Sequence, residues 1–144
     1  MTEPINNYIK RYANTNDLKV IIAAKDLCVY INQTCLNAPK VQRFNFVKRL
    51  NDLAFDTLES LFRANEFFVK AGNAQAIQRR YNFQHKALVN IRLIIYQAEM
   101  ASNVKCITRH QFGVISKRAI EVITLIGAWI NSDEKRFGKP ASKI

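Results

Sequence analysis

Apolar residues recur along this chain at steps of three and four, the period of a helix with one buried face. From about Asp17 to Leu36, Val20, Ala24, Leu27 and Ile31 make one stripe, with Ile21, Cys28 and Cys35 beside it. Asn37-Ala38-Pro39 ends that run, because a proline disfavours helix at the residue before it. A second helix is predicted from about Lys40 to Lys70, with Val47, Leu50, Ala54, Leu58, Leu61 and Phe68 inward. Its outer face pairs Glu59 with Arg63 and Glu66 with Lys70, each four residues apart in the better order. Ala71-Gly72-Asn73 closes it, Gly72 being free to adopt a left-handed cap.

The third helix is predicted over about Ala74 to Ala101. Ile77, Tyr81, Gln84, Leu88, Ile91, Ile95 and Ala98 alternate four and three, which is a bundle seam. The fourth starts at a capping box, Thr108 followed three residues on by Gln111. Phe112, Ile115, Ala119, Val122, Ile126 and Trp129 follow at three and four, and Ile120, Ile123 and Ile130 broaden the stripe. This helix ends near Asn131-Ser132. Short connections make neighbours antiparallel, so the fold expected is an all-α, up-down-up-down four-helix bundle over 17–132. A three-helix core with the first helix docked elsewhere is the alternative. Residues 1–16 read as a flexible arm and 133–144 as a basic flexible tail.

Composition agrees with few, long elements: 144 residues hold only 3 Pro and 4 Gly, with 49% apolar residues to fill one core. The charge adds a functional expectation. Lys and Arg number 22 against 11 Asp and Glu, a formal +11, and such a surface attracts polyanions. Most of the excess carried on helices lies on the last two. Arg79, Arg80, Lys86 and Arg92 face only Glu99 on the third, and Lys105, Arg109, Lys117 and Arg118 face only Glu121 on the fourth and the loop before it. Arg79, Arg80, Lys86, Arg92, Arg109, Lys117 and Arg118 are therefore the candidate nucleic-acid contacts. Together they could line one basic surface between the two helices, touching phosphates with little reading of bases.

Chemistry of other kinds finds few candidates. Cys28, Cys35 and Cys106 are an odd set without a CxxC, so they read as reduced, small apolar side chains of a cytoplasmic protein. His85 and His110 fit no triad motif, and no metal or phosphate-loop motif occurs, so neither an enzyme nor a cofactor is expected. Asp52 and Asp56 could share a metal, but Lys48 and Arg49 beside them mark a solvated face. The first 16 residues hold no apolar run of signal-peptide type, and Val122 to Ser132 is too short to span a bilayer. Trp129, with Phe112, Ile126 and Ile130, belongs either to the core or to a subunit interface.

Three stretches resemble a known family. Pro39-Lys40-x-x-Arg43-Phe44, with Arg49-Leu50 and Ala54, is similar to the start of its second helix. Ile107-Thr108-x-x-Gln111-Phe112 resembles the loop and cap before its last helix, and Ile126-Gly127-Ala128-Trp129-Ile130 its closing signature, with one glycine where relatives often have two. The family comprises the four-helix bundle proteins of ribosomal RNA intervening sequences and the accessory variability determinants of diversity-generating retroelements. The basic balance and the Ala-Gly-Asn turn bring this chain nearer the second branch. The resemblance implies a homopentameric barrel. It also implies a non-enzymatic role in mutagenic retrohoming, binding the element's reverse transcriptase together with template RNA or its complementary DNA. The alternative is a structural oligomer of the first branch, with a protein-interaction role only.

Overall fold

The computed structural model describes residues 15–143, with side chains from Lys19 onward. The expected N-terminal arm lies almost wholly outside the described residues. Four α-helices carry the chain: α1 (Thr15–Cys35), α2 (Lys48–Glu66), α3 (Ala74–Asn103) and α4 (Arg109–Phe137). There is no strand among the described residues. Each helix packs on the next and α4 packs back on α1, so the four close into an antiparallel bundle and α1 is part of the core. No helix among the described residues is long and apolar enough to cross a membrane.

The core follows the predicted stripes, except that Ile120, expected to broaden the stripe of the fourth helix, is 56% exposed, and Val47, Leu58 and Ile77 are only half-buried. Val20, Ala24, Leu27 and Ile31 of α1, Leu50, Ala54 and Leu61 of α2, Ile91 and Ala98 of α3, and Ile115, Ala119, Val122, Ile126 and Trp129 of α4 are all buried. Cys28 and Cys35 are buried with them, and Cys106 closes the loop before α4. In α3 the seam turns out to be one flank of the buried face. Ala87, Ile94 and Ala101 lie at its fully buried centre, while Leu88 and Ile95 are half-buried. Ala87 and Ala101 bring little bulk to that centre, and Leu88 and Ile95 fill its edge.

Three boundaries differ from the expectation. The second helix does not begin smoothly at Lys40. A 3-10 turn, Lys40–Gln42, and a π-turn, Arg43–Val47, precede α2, and no residue of either turn is fully buried. At its other end α2 stops at Glu66, because Phe67 goes extended at φ −74, ψ 119. Phe68 is therefore not an inward residue but 79% exposed, and Val69 enters the core in its place. The Glu66–Lys70 pair expected on a continuous helix is replaced by Lys70 Nζ lying over the Phe68 ring at 5.6 Å, whereas Glu59–Arg63 forms at 2.9 Å. Last, α4 runs past Ser132 to Phe137, and Gly138 at φ 112 ends it.

Candidate nucleic-acid interface

The cations of α3 are held by a well-anchored helix. Asn73 caps its start by accepting the Ala76 backbone N–H at 3.2 Å, after Gly72 turns the chain at φ 83. Phe83 stacks on Phe67, just beyond the end of α2, with centroids 5.7 Å apart. Arg79 is four residues before Phe83 and Lys86 three after it, so both exposed cations share the flank that faces α2. Arg92 lies six residues beyond Lys86, about 120° around the helix. It belongs to the flank of Leu88 and Ile95. That flank continues through Tyr81 and Ile77, which pack with Ile130 and Phe137 of α4.

The cations of α4 divide as well. Arg109 stands in its first turn, where Nη1 reaches Ser102 Oγ at 3.5 Å and Asn103 Oδ1 at 3.4 Å, and its guanidinium lies 5.4 Å from the Phe112 ring. Arg118 lies 4.9 Å from the ring of Tyr30, on the α1 side, in a shallow groove that also contains Asp26 and Glu121. Lys117 is exposed on the outer face. The seven candidates thus do not line one groove between α3 and α4. They spread over several faces of the bundle. The spacing shows which residues share a helix face; it does not show which neighbour that face meets.

Arg80 departs further from its expected role. It is only 7% exposed and is held inside the bundle. Its Nε lies 2.8 Å from Asp133 Oδ2, its Nη2 donates to Asp133 Oδ1 at 3.1 Å, and its Nη1 donates to the Phe67 carbonyl at 3.4 Å. The Trp129 ring lies 4.9 Å from the guanidinium carbon, and Gln84 Nε2 donates to Asp133 Oδ2 at 2.9 Å. Arg80 is a structural cation matched to Asp133, a carboxylate in the segment expected to be a flexible tail. Phe112 and Ile130 pack half-buried on the core, while Ile126 and Trp129 lie fully within it.

A further set of cations lies mostly outside the seven candidates. The turns before α2 and the loop before α4 come to the same end of the bundle, where a groove of about 640 Å3 opens between Asn37, Pro39, Asn103, Lys105 and Arg109. Lys105 and Arg109 line that groove, Lys40 and Arg43 stand on the turns that follow Pro39 and Arg49 in the first turn of α2; all are exposed, and no carboxylate among the described residues pairs with them. Lys48 is the exception, bound to Asp52 at 2.7 Å. Phe44, on the π-turn beside Arg43, is 82% exposed, and Val41 is exposed near it. The available signal was two large apolar residues interleaved with cations directly after a proline. It read instead as the first turn of an amphipathic helix.

The other titratable groups offer no clustered chemistry. Burial pushes the Cys28 and Cys35 thiols up to about 11, Cys35 with help from neighbouring Cys106, and the Cys106 thiol is raised by burial too. His85 lies against Tyr81 with ring centroids 5.8 Å apart, and His110 is exposed in the first turn of α4. No group of three potential metal-ligating side chains comes together among the described residues. Comparison with protein-family models, with curated proteins and with solved structures finds no match to this chain.

Proposed function

We propose that this chain is a non-enzymatic accessory protein of a diversity-generating retroelement. In this reading it binds the element's reverse transcriptase and its template RNA or complementary DNA in the cytoplasm, as a homopentamer, and so supports mutagenic retrohoming. The observation that carries the nucleic-acid part is the state of the surface cations. Arg79, Lys86, Arg92 and Lys117 are exposed, and none forms an ion pair with a carboxylate among the described residues. Side chains in that state can meet phosphates without first breaking a salt bridge. The polymerase and the ring of five rest on the family resemblance. Reversing charge at Arg79 and Lys86 together is expected to weaken binding of RNA or DNA at low salt while leaving the fold intact by circular dichroism. Unchanged affinity would count against the reading.

A second reading, a structural oligomer with a protein-interaction role only, is favoured by one feature. Val89, Leu93, Tyr96 and Met100 run down the outside of α3 at steps of four, three and four, all exposed. A stripe of this kind fits a helix of another protein or of a second copy. Light scattering separates the outcomes. A mass of five protomers supports the ring, and a monomer at every concentration opposes it. Salt-insensitive partner binding without any shift of RNA or DNA would favour the second reading.

A further inference from the structure

We propose that the end of the bundle formed by the turns before α2 and the loop before α4 is a binding site for single-stranded nucleic acid, with Phe44 as the stacking platform for a base. This rests on the nucleic-acid reading above and gives it a place and a strand preference. Phe44 is 82% exposed, on a π-turn that is itself unburied. A phenyl ring so placed forfeits its transfer free energy unless something covers it. Its surroundings decide what that is. Arg43 precedes it and Lys40 stands one turn earlier, both exposed. Lys105 and Arg109 line the groove at the same end. The one carboxylate near the start of α2 that is engaged, Asp52, is already bound to Lys48.

An apolar partner would have to strip water from these cations, none of which has a carboxylate partner among the described residues. A nucleic-acid strand would meet them with phosphates while laying a base on the ring, which is how sequence-tolerant single-strand sites combine the two kinds of contact. A duplex keeps its bases stacked on one another and has none to offer Phe44. Along the groove the Asn37 amide, the Asn103 amide nitrogen and the Thr108 hydroxyl proton remain for sugar and base edges, while Asn103 Oδ1 and Thr108 Oγ1 already accept from Arg109 and Gln111.

The test compares a labelled single-stranded RNA of mixed sequence with its duplex, using the full chain in a fluorescence-anisotropy titration. Phe44→Ala is expected to lose at least about fivefold in affinity for the single strand and to leave the duplex unaffected. Phe44→Trp is expected to retain single-strand binding, with emission quenched on addition of RNA beyond any change seen in the wild type. Lys40→Glu with Arg43→Glu is expected to weaken both probes. Since Phe44 is exposed, its truncation leaves the stability close to that of the wild type. Unchanged single-strand affinity in Phe44→Ala, with a loss in Arg79→Glu/Lys86→Glu, overturns this site and leaves the wider reading standing. Failure of the wild type to bind either probe overturns both. A drop in oligomer mass in Phe44→Ala, with RNA affinity unaltered, overturns the site in favour of a contact between copies of the chain.

Discussion

Among single residues, Arg80 and Asp133 have the most to lose. The pair lies inside the bundle, braced by Gln84 and the Trp129 ring, so removing one partner strands a charge where water cannot reach it fully. Asp133→Asn is expected to destabilise by about 3 kcal/mol, read from the urea midpoint. Replacing both partners by apolar residues, Arg80→Met with Asp133→Leu, is expected to recover much of that loss. Lys105 makes a different point. It holds φ 62, a left-handed conformation that costs a side-chain-bearing residue about 1–2 kcal/mol. Lys105→Gly is therefore expected to raise stability by a few tenths of a kcal/mol or more, net of glycine's own entropic cost, and yet to weaken nucleic-acid binding. A loss of both, or a gain of both, contradicts the role given to this lysine.

The buried thiols set an alkaline limit. Cys28 donates to the Ala54 carbonyl at 3.0 Å, and burial holds it and Cys35 near 11 against an ordinary 9.0. Below pH 9 the folded and unfolded chains both keep these thiols protonated. Between pH 9 and 11 the unfolded chain releases the protons first, so stability is lost as pH rises through that window. The unfolding midpoint is expected to fall there. At pH 8 the thiols of the native protein should react slowly with a disulfide reagent and quickly in denaturant.

Among elements, the ends of α4 are the clearest contrast. Its start was legible in the sequence because a capping box is a local device. Thr108 Oγ1 accepts the Gln111 N–H at 3.0 Å and Gln111 Oε1 accepts the Thr108 N–H at 2.9 Å, so spacing alone specifies the geometry. Thr108→Ala is expected to cost about 1 kcal/mol in thermal or urea unfolding. The far end was hidden because its reason is non-local. The last turns persist where Asp133 meets Arg80, fifty-three residues away in sequence, and the following segment returns to α3 through Ser142 and Gln78. The beginning of α2 failed for a related reason. A continuous helix from Lys40 was expected, but a 3-10 turn and a π-turn occupy Lys40 to Val47, so α2 starts only at Lys48 and Val41 and Phe44 lie outside the core. At Phe68 an extended Phe67 does the same, and Phe68→Ser is expected to leave stability within about 0.5 kcal/mol of the wild type.

For the molecule as a whole, the helical pattern fixed the core and the charge count fixed the sign of the surface, while the arrangement of that charge needed three dimensions. Arg79 with Lys86, Arg92, Lys117 and Arg118 point in several directions, and the bundle end gathers Lys40, Arg43, Arg49, Lys105 and Arg109. On the proposed reading, the bundle-end site supplies one set of phosphate contacts and the cations on the other faces add to it by wrapping or by repetition in an oligomer. A large share of the binding free energy would then come from counterion release. Anisotropy of labelled single-stranded RNA, titrated with the wild-type chain over a series of salt concentrations, tests this most directly. The account predicts tight binding at low salt and a straight fall of log affinity with log salt, about 0.7 per phosphate contacted. No binding at low salt, or an affinity indifferent to salt, would contradict it.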